Sequence, residues 1–514
     1  MTTDSKTYYL YGAAVQGIQS FIFQTNELKD IVGASELVNE ICTKDFDEYS
    51  KTGESIVRAA GTIKHIYTVN EINDLEKTVK NFPKKVMSKA PGITVSQAVV
   101  EVDDNDTNWF EKAVDVLEHK LKYQRNKPAQ SLTVGFLGTD RNPKTGLPAV
   151  AKDNDGDLID EAVQIKRSYA NDAHYRLCVS AFGVENLDNR IAYKIDDLTK
   201  NNDWIAIIHA DGNGLGKIIQ HIGGDKQTLH DFSAGLDSAT MEAAKKAYRK
   251  VEKYFNEGFI PIRPIVVGGD DFTVICRADF ALEYITAYLD AFEHETKVFI
   301  ERLSKNNEKL KNSGIKQLTA CAGIAYIKSS FPFHYGYKLA EKLCEAAKND
   351  SKAHNKDTAP SCVMFHKVQD SFVENYTDIV DRELIIRKEN DGNEIHTFQF
   401  GPYYLNTEFN GYWTTEKLTN IKKQLSSNDD GNKVKSAVRQ LIGLWKSKDF
   451  KSASKKARIL NIIRQYNSDL LNTVLDITDF VDRDNGRLKA YPAYDVLSLL
   501  SVENQVTKKQ LKQK

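Results

Sequence analysis

The sequence has few cysteines and no long apolar run, and both shortages restrict what the chain can be. Only six of its 514 residues are cysteine, and no two of them are spaced as C-x-x-C. Because closely paired cysteines mark disulfide frameworks and zinc sites, we expect buried free thiols and no zinc. No apolar run approaches the roughly 20 residues that span a bilayer. The first residues also lack a signal-peptide apolar region, so we expect a cytoplasmic protein without membrane contact.

The chain also lacks an excess of charge of either sign. It has 70 Lys and Arg residues against 71 Asp and Glu residues, a formal net charge of -1. Since a balanced charge gives no overall attraction to nucleic acid, any such binding must depend on a local patch. The composition is that of an ordinary globular protein, and the length predicts about three domains.

Two adjacent aspartates stand at the tip of a predicted β-hairpin. Residues 265–275 form two apolar segments around Gly268, Gly269, Asp270 and Asp271. The glycines allow a tight turn that a ligand can approach closely. Adjacent carboxylates repel each other unless a cation lies beside them, and hard oxygen ligands favour Mg²⁺ or Mn²⁺. The alternative is an ordinary solvated Asp-Asp turn, because short motifs are only hypotheses.

A second predicted strand, residues 204–211, ends in a third carboxylate, Asp211, which Gly212 follows. A strand end beside an acidic hairpin is the arrangement by which polymerase-type palms hold two divalent metals against a nucleoside triphosphate. We therefore predict that Asp211 and the two hairpin aspartates are catalytic residues and metal ligands. Gly212 and the two hairpin glycines are the candidate nucleotide contacts. The spacing of the glycines from 212 to 216 does not fit the dinucleotide-binding motif G-x-G-x-x-G.

The order of predicted elements divides the chain into four parts. Residues 203–370 follow the order β-α-α-β-β-α-β of a palm and include the acidic hairpin. Residues 1–121 show a similar order, residues 122–202 connect the two, and residues 371–514 are predicted to be mainly helical. The fold class predicted is therefore α+β, with two ferredoxin-like or nucleotidyl cyclase palms and a helical C-terminal domain.

The first predicted palm lacks the acidic residues of the second. Aligning the two copies places Ala14 where Asp211 stands, and Gly61 and Thr62 where the hairpin aspartates stand. Such a degenerate copy cannot perform two-metal chemistry, although it could bind the flat part of a nucleotide or pair with the other palm. A chance likeness between two αβ units is the alternative.

Lys348 is a candidate phosphate ligand. It lies near the end of the helix predicted over residues 333–349, where an ammonium could hold the β- and γ-phosphates of a triphosphate. A solvated helix end, where Lys also suits the helix dipole, explains it equally well.

The C-terminal part contains a segment in which nearly all charged residues are basic. Between residues 433 and 464 the only acid is Asp449. Such helices could bind RNA or DNA phosphates or the acidic face of a partner, and a merely solvated basic face is the alternative. The basic residues of the block are Lys433, Lys435, Arg439, Lys446, Lys448, Lys451, Lys455, Lys456, Arg458 and Arg464.

Taken together, three motifs carry a family resemblance. The acidic hairpin, the strand end Ala210-Asp-Gly-Asn-Gly214 and the N-terminal Gln16-Gly-Ile-Gln-Ser-Phe-Ile22 resemble the large, polymerase-type subunit of type III CRISPR effector complexes. The resemblance covers most of residues 7–370. It implies a degenerate first palm, an active second palm, Mg²⁺ or Mn²⁺ as cofactor, and synthesis of cyclic oligoadenylates from ATP in antiviral defence.

The resemblance also implies partners and leaves rival functions open. RNA and other effector subunits are expected at the basic C-terminal helices, and a homodimer is expected if the chain acts alone. A scaffold that binds nucleotide or RNA without turnover and a cyclase that uses GTP are the alternatives. Members of this family often begin with a histidine-aspartate nuclease domain and carry a zinc knuckle between the palms. Neither pattern is found here, so we expect neither DNA cleavage by this chain nor zinc.

Overall fold

The computed structural model describes residues 6–502 with short gaps. The residues it does not describe are 1–5, 26, 60, 106–107, 128–137, 188, 200–202, 223, 256–257, 306, 357, 370–375, 390–393, 428–430, 447–467 and 503–514.

The first palm is a four-stranded antiparallel sheet with helices packed on it. Its strand order is β2-β3-β1-β4, so the strand that enters first along the chain lies inside the sheet. Helix α2 continues through a π-helical turn, Ile41–Asp45, into the short helix α3. The elements are β1 (Thr7–Gln16), α1 (Ile18–Ile22), α2 (Leu28–Glu40), α3 (Phe46–Tyr49), β2 (Glu54–Ala59), β3 (Thr62–Thr68), α4 (Ile72–Lys89), β4 (Thr94–Asp103) and α5 (Trp109–Arg125).

The connecting part contains a long helix that the sequence pattern did not indicate. Asp160 caps its start by accepting a hydrogen bond from the Val163 amide at 3.0 Å, and Gly183 ends it in the left-handed region. The helix packs tightly on α2, where a Cβ on Gly33 would come within 1.8 Å of the Lys166 carbonyl oxygen. The elements here are β5 (Ala149–Lys152), β6 (Leu158–Asp160), α6 (Glu161–Phe182) and α7 (Ile195–Leu198).

The second palm is a six-stranded sheet of order β14-β11-β10-β7-β9-β8, in which β14 is the two-residue strand Tyr403–Tyr404. Alternate residues of β7 enter two different hydrophobic cores, Ile205 and Ile207 on one face and Ala206 and Ile208 on the other. Because helices cover both faces, the strand is apolar along its whole length. The elements are β7 (Trp204–Gly212), α8 (Leu215–Ile222), α9 (Lys226–Val251), β8 (Ile262–Gly268), β9 (Asp271–Arg277), α10 (Ala281–Ser304), α11 (Glu308–Asn312), β10 (Ala320–Lys328), α12 (Phe333–His354) and β11 (Cys362–Lys367).

The two sheets share one pairing scheme, which confirms the predicted duplication of the palm. Strands β2-β3-β1-β4 correspond in order to β8-β9-β7-β10. In the first sheet Ala14 faces Thr62, and in the second Asp211 faces Asp271. The sequence alignment of the two copies therefore agrees with the register of the strands. The first copy is degenerate because Ala14 and Thr62 stand at the paired positions of the two aspartates.

The C-terminal part combines helices with a small sheet that the sequence analysis did not predict. The four short strands of this sheet pair in the order β12-β13-β16-β15, and the two-residue strand β14 joins the sheet of the second palm beside β11. The elements are α13 (Tyr376–Ile379), β12 (Ile385–Glu389), β13 (Glu394–Thr397), β14 (Tyr403–Tyr404), α14 (Thr415–Ser427), α15 (Gly431–Lys446), α16 (Ser468–Thr478), β15 (Val481–Arg483), β16 (Leu488–Ala490) and α17 (Ala493–Ser501).

The cysteines and the helices agree with what the composition indicates. All six cysteines are buried free thiols, as predicted. Among the helices that the structure describes, none is both long enough and apolar enough to cross a membrane.

Candidate active site

Asp211 and Asp271 lie side by side on neighbouring strands. Antiparallel pairing of β7 with β9 places the two residues directly opposite each other, so their side chains point to the same face of the sheet. Like charges in this position destabilise a sheet unless a cation compensates them. The sequence prediction that the strand end and the hairpin meet is therefore correct in geometry.

Asp270 forms the tip of the hairpin together with Gly269, whose φ of 58° lies in the left-handed region. Burial and the charge of Asp211 raise the pKa of the Asp270 carboxyl to about 6. The same two causes raise the pKa of Asp271 to about 7, although 40% of its side chain is exposed. The charge of Asp211 thus disfavours ionisation of both hairpin aspartates, which is the electrostatic signature of a site for positive charge.

Gly212 allows this close approach. A Cβ on Gly212 would lie 3.0 Å from the Cβ of Asp270 and 2.9 Å from a methyl group of Leu215. The glycine after the strand end is therefore explained by packing against the hairpin aspartate. Its predicted contact with a nucleotide stays a prediction, as do those of Gly268 and Gly269.

Helix α9 holds the hairpin turn through two side chains that the sequence analysis missed. Asp237 accepts a short hydrogen bond from the Gly269 amide, and Thr240 donates one to the Gly269 carbonyl oxygen at 2.5 Å. Burial raises the pKa of the Asp237 carboxyl. Both polar groups of Gly269 are thus fixed by one helix, and Asp237 adds a fourth carboxylate next to the turn.

Lys348 reaches the site from helix α12. Its ammonium forms an ion pair with Asp211 and donates to the Gly212 carbonyl oxygen at 2.8 Å. The lysine side chain is 15% exposed and the aspartate 38%. Lys348 is therefore not a solvated helix end, and the helix continues for a further turn and a half, to His354.

A neutral histidine lies beneath the acidic pair. The ring nitrogen Nδ1 of His209 is 3.1 Å from the Thr273 hydroxyl oxygen and 3.5 Å from a carboxylate oxygen of Asp271. Burial lowers the pKa of His209, so the ring is uncharged at neutral pH. The ring therefore supplies no charge that compensates the acidic pair.

The first palm contacts this same region through helix α1. Gln19 donates to a carboxylate oxygen of Glu341 on α12 at 2.9 Å. The ring of Phe23 stacks on that of Tyr337 with 3.8 Å between centroids, and the Tyr337 ring meets His209 edge-on. The N-terminal motif of the sequence therefore forms part of the contact between the two palms at the acidic site.

The carboxylate oxygens of the site suit a hard divalent cation, but their arrangement is not that of a complete metal site. Carboxylate oxygens are the ligands that Mg²⁺ and Mn²⁺ prefer, and the Lys348 ammonium on Asp211 shows that the site accepts a positive charge. In the part of the chain that the structure describes, however, no three His, Cys, Asp or Glu side chains converge to hold a metal. Metal binding would thus require Asp211 to release Lys348.

The predicted basic surface is only partly described. Arg439 and Lys446 are exposed on α15, whereas Lys435 is 8% exposed and points inward. Lys448, Lys451, Lys455, Lys456, Arg458 and Arg464 lie outside the described residues.

Comparison with known proteins agrees with this geometry. Residues 204–358 match the sequence model of the family described as Cas10/Cmr2, second palm domain. The second palm is of the Cas10/Cmr2 type. The match begins at the first residue of β7 and includes Asp211, the acidic hairpin and Lys348. It confirms the family resemblance found in the sequence, whereas no protein in a curated set matches the chain.

Solved structures extend the likeness in fold to nearly the whole chain. A chain of a crystallised Csm1–Csm4 cassette in complex with cA3 aligns with a TM-score of 0.53 and 14% identity over 98% of this chain and 70% of that chain. The cassette in complex with AMPPNP aligns with a TM-score of 0.52 and 14% identity over 98% and 70%. The complex with pppApApA gives 0.52 and 14% over 98% and 69%. At this identity the likeness shows a shared fold.

Proposed function

We propose that this chain is a metal-dependent nucleotidyltransferase that joins ATP into cyclic oligoadenylates as part of type III CRISPR antiviral defence. The observation that carries the proposal is the meeting of Asp211 with Asp270 and Asp271 inside a Cas10/Cmr2-type second palm. Structures of the same fold are described as complexes with cA3 and AMPPNP, which supports adenine nucleotides as substrates.

The reaction joins a hydroxyl group of one ATP to the α-phosphorus of another. A new P–O bond forms, the bond to pyrophosphate breaks, and the 3′- or 2′-hydroxyl loses its proton. Asp211 and Asp270 would hold Mg²⁺ or Mn²⁺, which activates the hydroxyl and neutralises the triphosphate when bound. Asp271 would orient the attacking hydroxyl, since its carboxylate lies on the same face as that of Asp211. Such catalysis depends on positioning and electrostatics.

The remaining groups of the site would bind the triphosphate. Gly268 and Gly269 expose backbone at the hairpin tip, where a Cβ on either residue would meet nothing closer than Asp237, at 3.7 Å or more. Lys348 would move from Asp211 to a phosphate oxygen, because an ammonium binds both kinds of anion. The first palm would form the opposite wall through α1.

A scaffold that binds nucleotide without turnover is the second candidate. One observation favours it: Lys348 neutralises Asp211, and no three ligands converge among the described residues. Under that function the acidic residues would bind nucleotide weakly or not at all, and loss of Asp270 would leave any binding unchanged.

The experiment that separates the two functions is incubation with each of the four nucleoside triphosphates and Mg²⁺ or Mn²⁺, followed by mass spectrometry. We expect a cyclic oligoadenylate from ATP and a loss of about a hundredfold or more in Asp270→Ala. Asp290→Ala, an exposed aspartate on α10, is the matched control and should keep full activity. Product from GTP alone would identify a GTP cyclase. No product under any condition would favour the scaffold.

The same assay tests the predicted partners. Adding RNA, or a partner subunit such as the Csm4 component of the similar cassettes, shows whether the chain acts within an assembly. A requirement for RNA would identify an effector subunit, and activity without RNA would identify a stand-alone enzyme, for which a homodimer is then expected.

A further inference from the structure

A row of paired residues crosses the second palm sheet from the acidic hairpin to the C-terminal part. Asp271 lies opposite Asp211, Asp211 opposite Cys321, Cys321 opposite Cys362, and Cys362 opposite Tyr404. Because residues directly opposite each other on neighbouring strands share one face, all of these side chains point to the same side of the sheet. Tyr404 is three strands away from Asp211, a distance of about 14 Å at the usual strand spacing.

The end of helix α12 lies over this row. The Cys344 thiol donates to the Cys321 carbonyl oxygen at 3.1 Å, and the Cys362 thiol donates to the Ala347 carbonyl oxygen at 3.4 Å. Lys348, the next residue of the helix, pairs with the carboxylate at the strand end. The helix is therefore bound to the middle of the row and to its acidic end.

Asp350 binds the opposite end of the row. The Tyr404 hydroxyl donates to one carboxylate oxygen of Asp350 at 2.5 Å, and the Tyr412 hydroxyl donates to the other oxygen at 3.0 Å. Residues two apart on an α-helix are separated by about 200° around its axis. Asp350 and Lys348 thus fix opposite sides of the same helical turn.

The C-terminal part holds the two tyrosines in place. Tyr404 belongs to β14, which pairs with β11. The guanidinium of Arg483 lies 3.8 Å from the centre of the Tyr412 ring and donates to the Gly411 carbonyl oxygen at 2.6 Å. Arg483 ends β15, so direct contacts connect the small C-terminal sheet with Asp350.

We propose that Asp350, Tyr404 and Tyr412 are positioning residues of the acidic site. By binding both oxygens of Asp350, the two hydroxyl groups fix the rotation of the last turns of α12. This rotation directs the Lys348 ammonium to Asp211. Because Lys348 must leave Asp211 before a divalent cation binds, the C-terminal part sets how readily the acidic site takes up metal. This last consequence rests on the proposed function, whereas the placement of Lys348 does not.

The test removes the two hydroxyl groups and follows the reactivity of Lys348. In Tyr404→Phe/Tyr412→Phe both rings remain and keep their edge-on contacts with His354, so we expect the variant to fold. An amine held in an ion pair reacts slowly with the N-hydroxysuccinimide ester of acetic acid, because its protonated form is not nucleophilic. Labelling of Lys348 at limiting reagent, measured by mass spectrometry of peptides, should rise by up to about fivefold when this partly exposed ion pair is lost.

Mn²⁺ binding provides a second readout that does not depend on turnover. The affinity of the double tyrosine variant, measured by calorimetry without nucleotide, should rise in the same direction as that of Lys348→Met. The same two substitutions in the Lys348→Met background should have no further effect, because they act through the lysine. A role in stability alone would give the same effect in both backgrounds.

Three single variants serve as controls. Asp350→Asn keeps an oxygen acceptor and should retain most of the slow labelling, whereas Asp350→Ala should behave like the double tyrosine variant. Tyr254→Phe is the matched control, since its hydroxyl donates to a carboxylate oxygen of Glu283 on α10 at 2.6 Å. It should change neither readout. Lys166, which is buried, should stay unreactive in every folded variant.

Three results would overturn the proposal. They are unchanged labelling of Lys348 in the double tyrosine variant, an equal rise in Tyr254→Phe, and an additive effect on Mn²⁺ affinity in the Lys348→Met background. If neither the wild type nor any variant binds Mn²⁺ or makes a cyclic oligoadenylate, the proposed function fails and the labelling of Lys348 still decides this proposal. The two failures are therefore distinguishable.

Discussion

Lys348 has two expected roles: it pairs with Asp211, and it binds the triphosphate. Replacing it should therefore strengthen the binding of a divalent metal and weaken the binding of ATP. The Lys348 ammonium neutralises Asp211. A divalent cation must displace it, so Lys348→Met should strengthen the binding of Mn²⁺ alone. The pair is partly exposed, and such pairs contribute about 1 kcal/mol, which corresponds to about a fivefold gain in Mn²⁺ affinity.

Nucleotide binding should change in the other direction. If the ammonium moves to the triphosphate, its loss removes a charge-assisted hydrogen bond worth about 1.5–3 kcal/mol, and the affinity for Mg²⁺-ATP should fall about tenfold or more. Calorimetry with Mn²⁺ and with a non-hydrolysable ATP analogue measures both effects on the same protein.

Lys352→Met provides the matched control, since Lys352 is exposed on the same helix one turn further on. It should change neither affinity by more than about twofold. Weaker Mn²⁺ binding in Lys348→Met would refute the competition between ammonium and metal, and would mean that the lysine holds Asp211 in place. An unchanged affinity for ATP would refute the phosphate contact.

Three further predictions concern other carboxylates. Because burial and Asp211 raise the pKa of Asp270 to about 6, protons compete with metal. Mn²⁺ affinity measured by calorimetry should fall about tenfold per pH unit below 6 and level off above 7, and a flat profile would contradict this. Asp237→Ala should lower the melting temperature, since the Gly269 amide loses an acceptor worth about 2 kcal/mol, whereas Asp237→Asn should retain most of the stability; equal effects of both would argue against the hydrogen bond. Asp495 accepts a hydrogen bond from the Tyr403 hydroxyl at 2.8 Å, and burial raises its pKa from 3.8 to about 7. The Asp495 carboxyl therefore binds its proton more tightly in the folded protein than in the unfolded chain. The contribution of this proton to the free energy of unfolding is lost as pH rises from about 4 to 7. At pH 8 the variant Asp495→Asn should then be more stable than the wild type by up to about 4 kcal/mol, and near pH 4 the two should be equally stable. Thermal unfolding at a series of pH values measures this. If the stabilities of the two proteins depend on pH in the same way, the carboxyl is ionised without cost.

The parts of the palm that the sequence predicted are those with strong local signals. The strand that ends at Asp211 and the hairpin around residues 265–275 combine continuous apolar runs with glycines at the turn, and the structure has both elements. The duplication was also predictable, because the same order of elements and glycines occurs twice.

The missed residues act through contacts between distant segments. Asp237 and Thr240 lie on a helix and bind a turn about 30 residues further on, and no local pattern marks an aspartate that accepts a backbone amide. The small C-terminal sheet was missed for a similar reason. It pairs residues 394–397 with residues 488–490, and strands of three or four residues carry too little alternation to be recognised.

Lys348 illustrates the limit of spacing as evidence. From the sequence, Lys348 could be either a phosphate ligand or part of a solvated helix end, since both interpretations place a lysine near the end of a helix. The choice depends on the length of α12, which runs to His354 and so places Lys348 well inside the helix. Only the packing of that helix against β7 shows that the ammonium faces Asp211.

The shared register of the two sheets shows how the two palms differ at equivalent positions. Ala14 and Thr62 occupy the same paired positions as Asp211 and Asp271, so the first palm keeps the geometry and loses the charge. A neutral hairpin tip needs no cation and carries no electrostatic cost. Helix α1 of the first palm contacts α12 of the second, with Gln19 bound to Glu341. The acidic pair of the second palm is, in contrast, compensated by Lys348, whose ammonium pairs with Asp211.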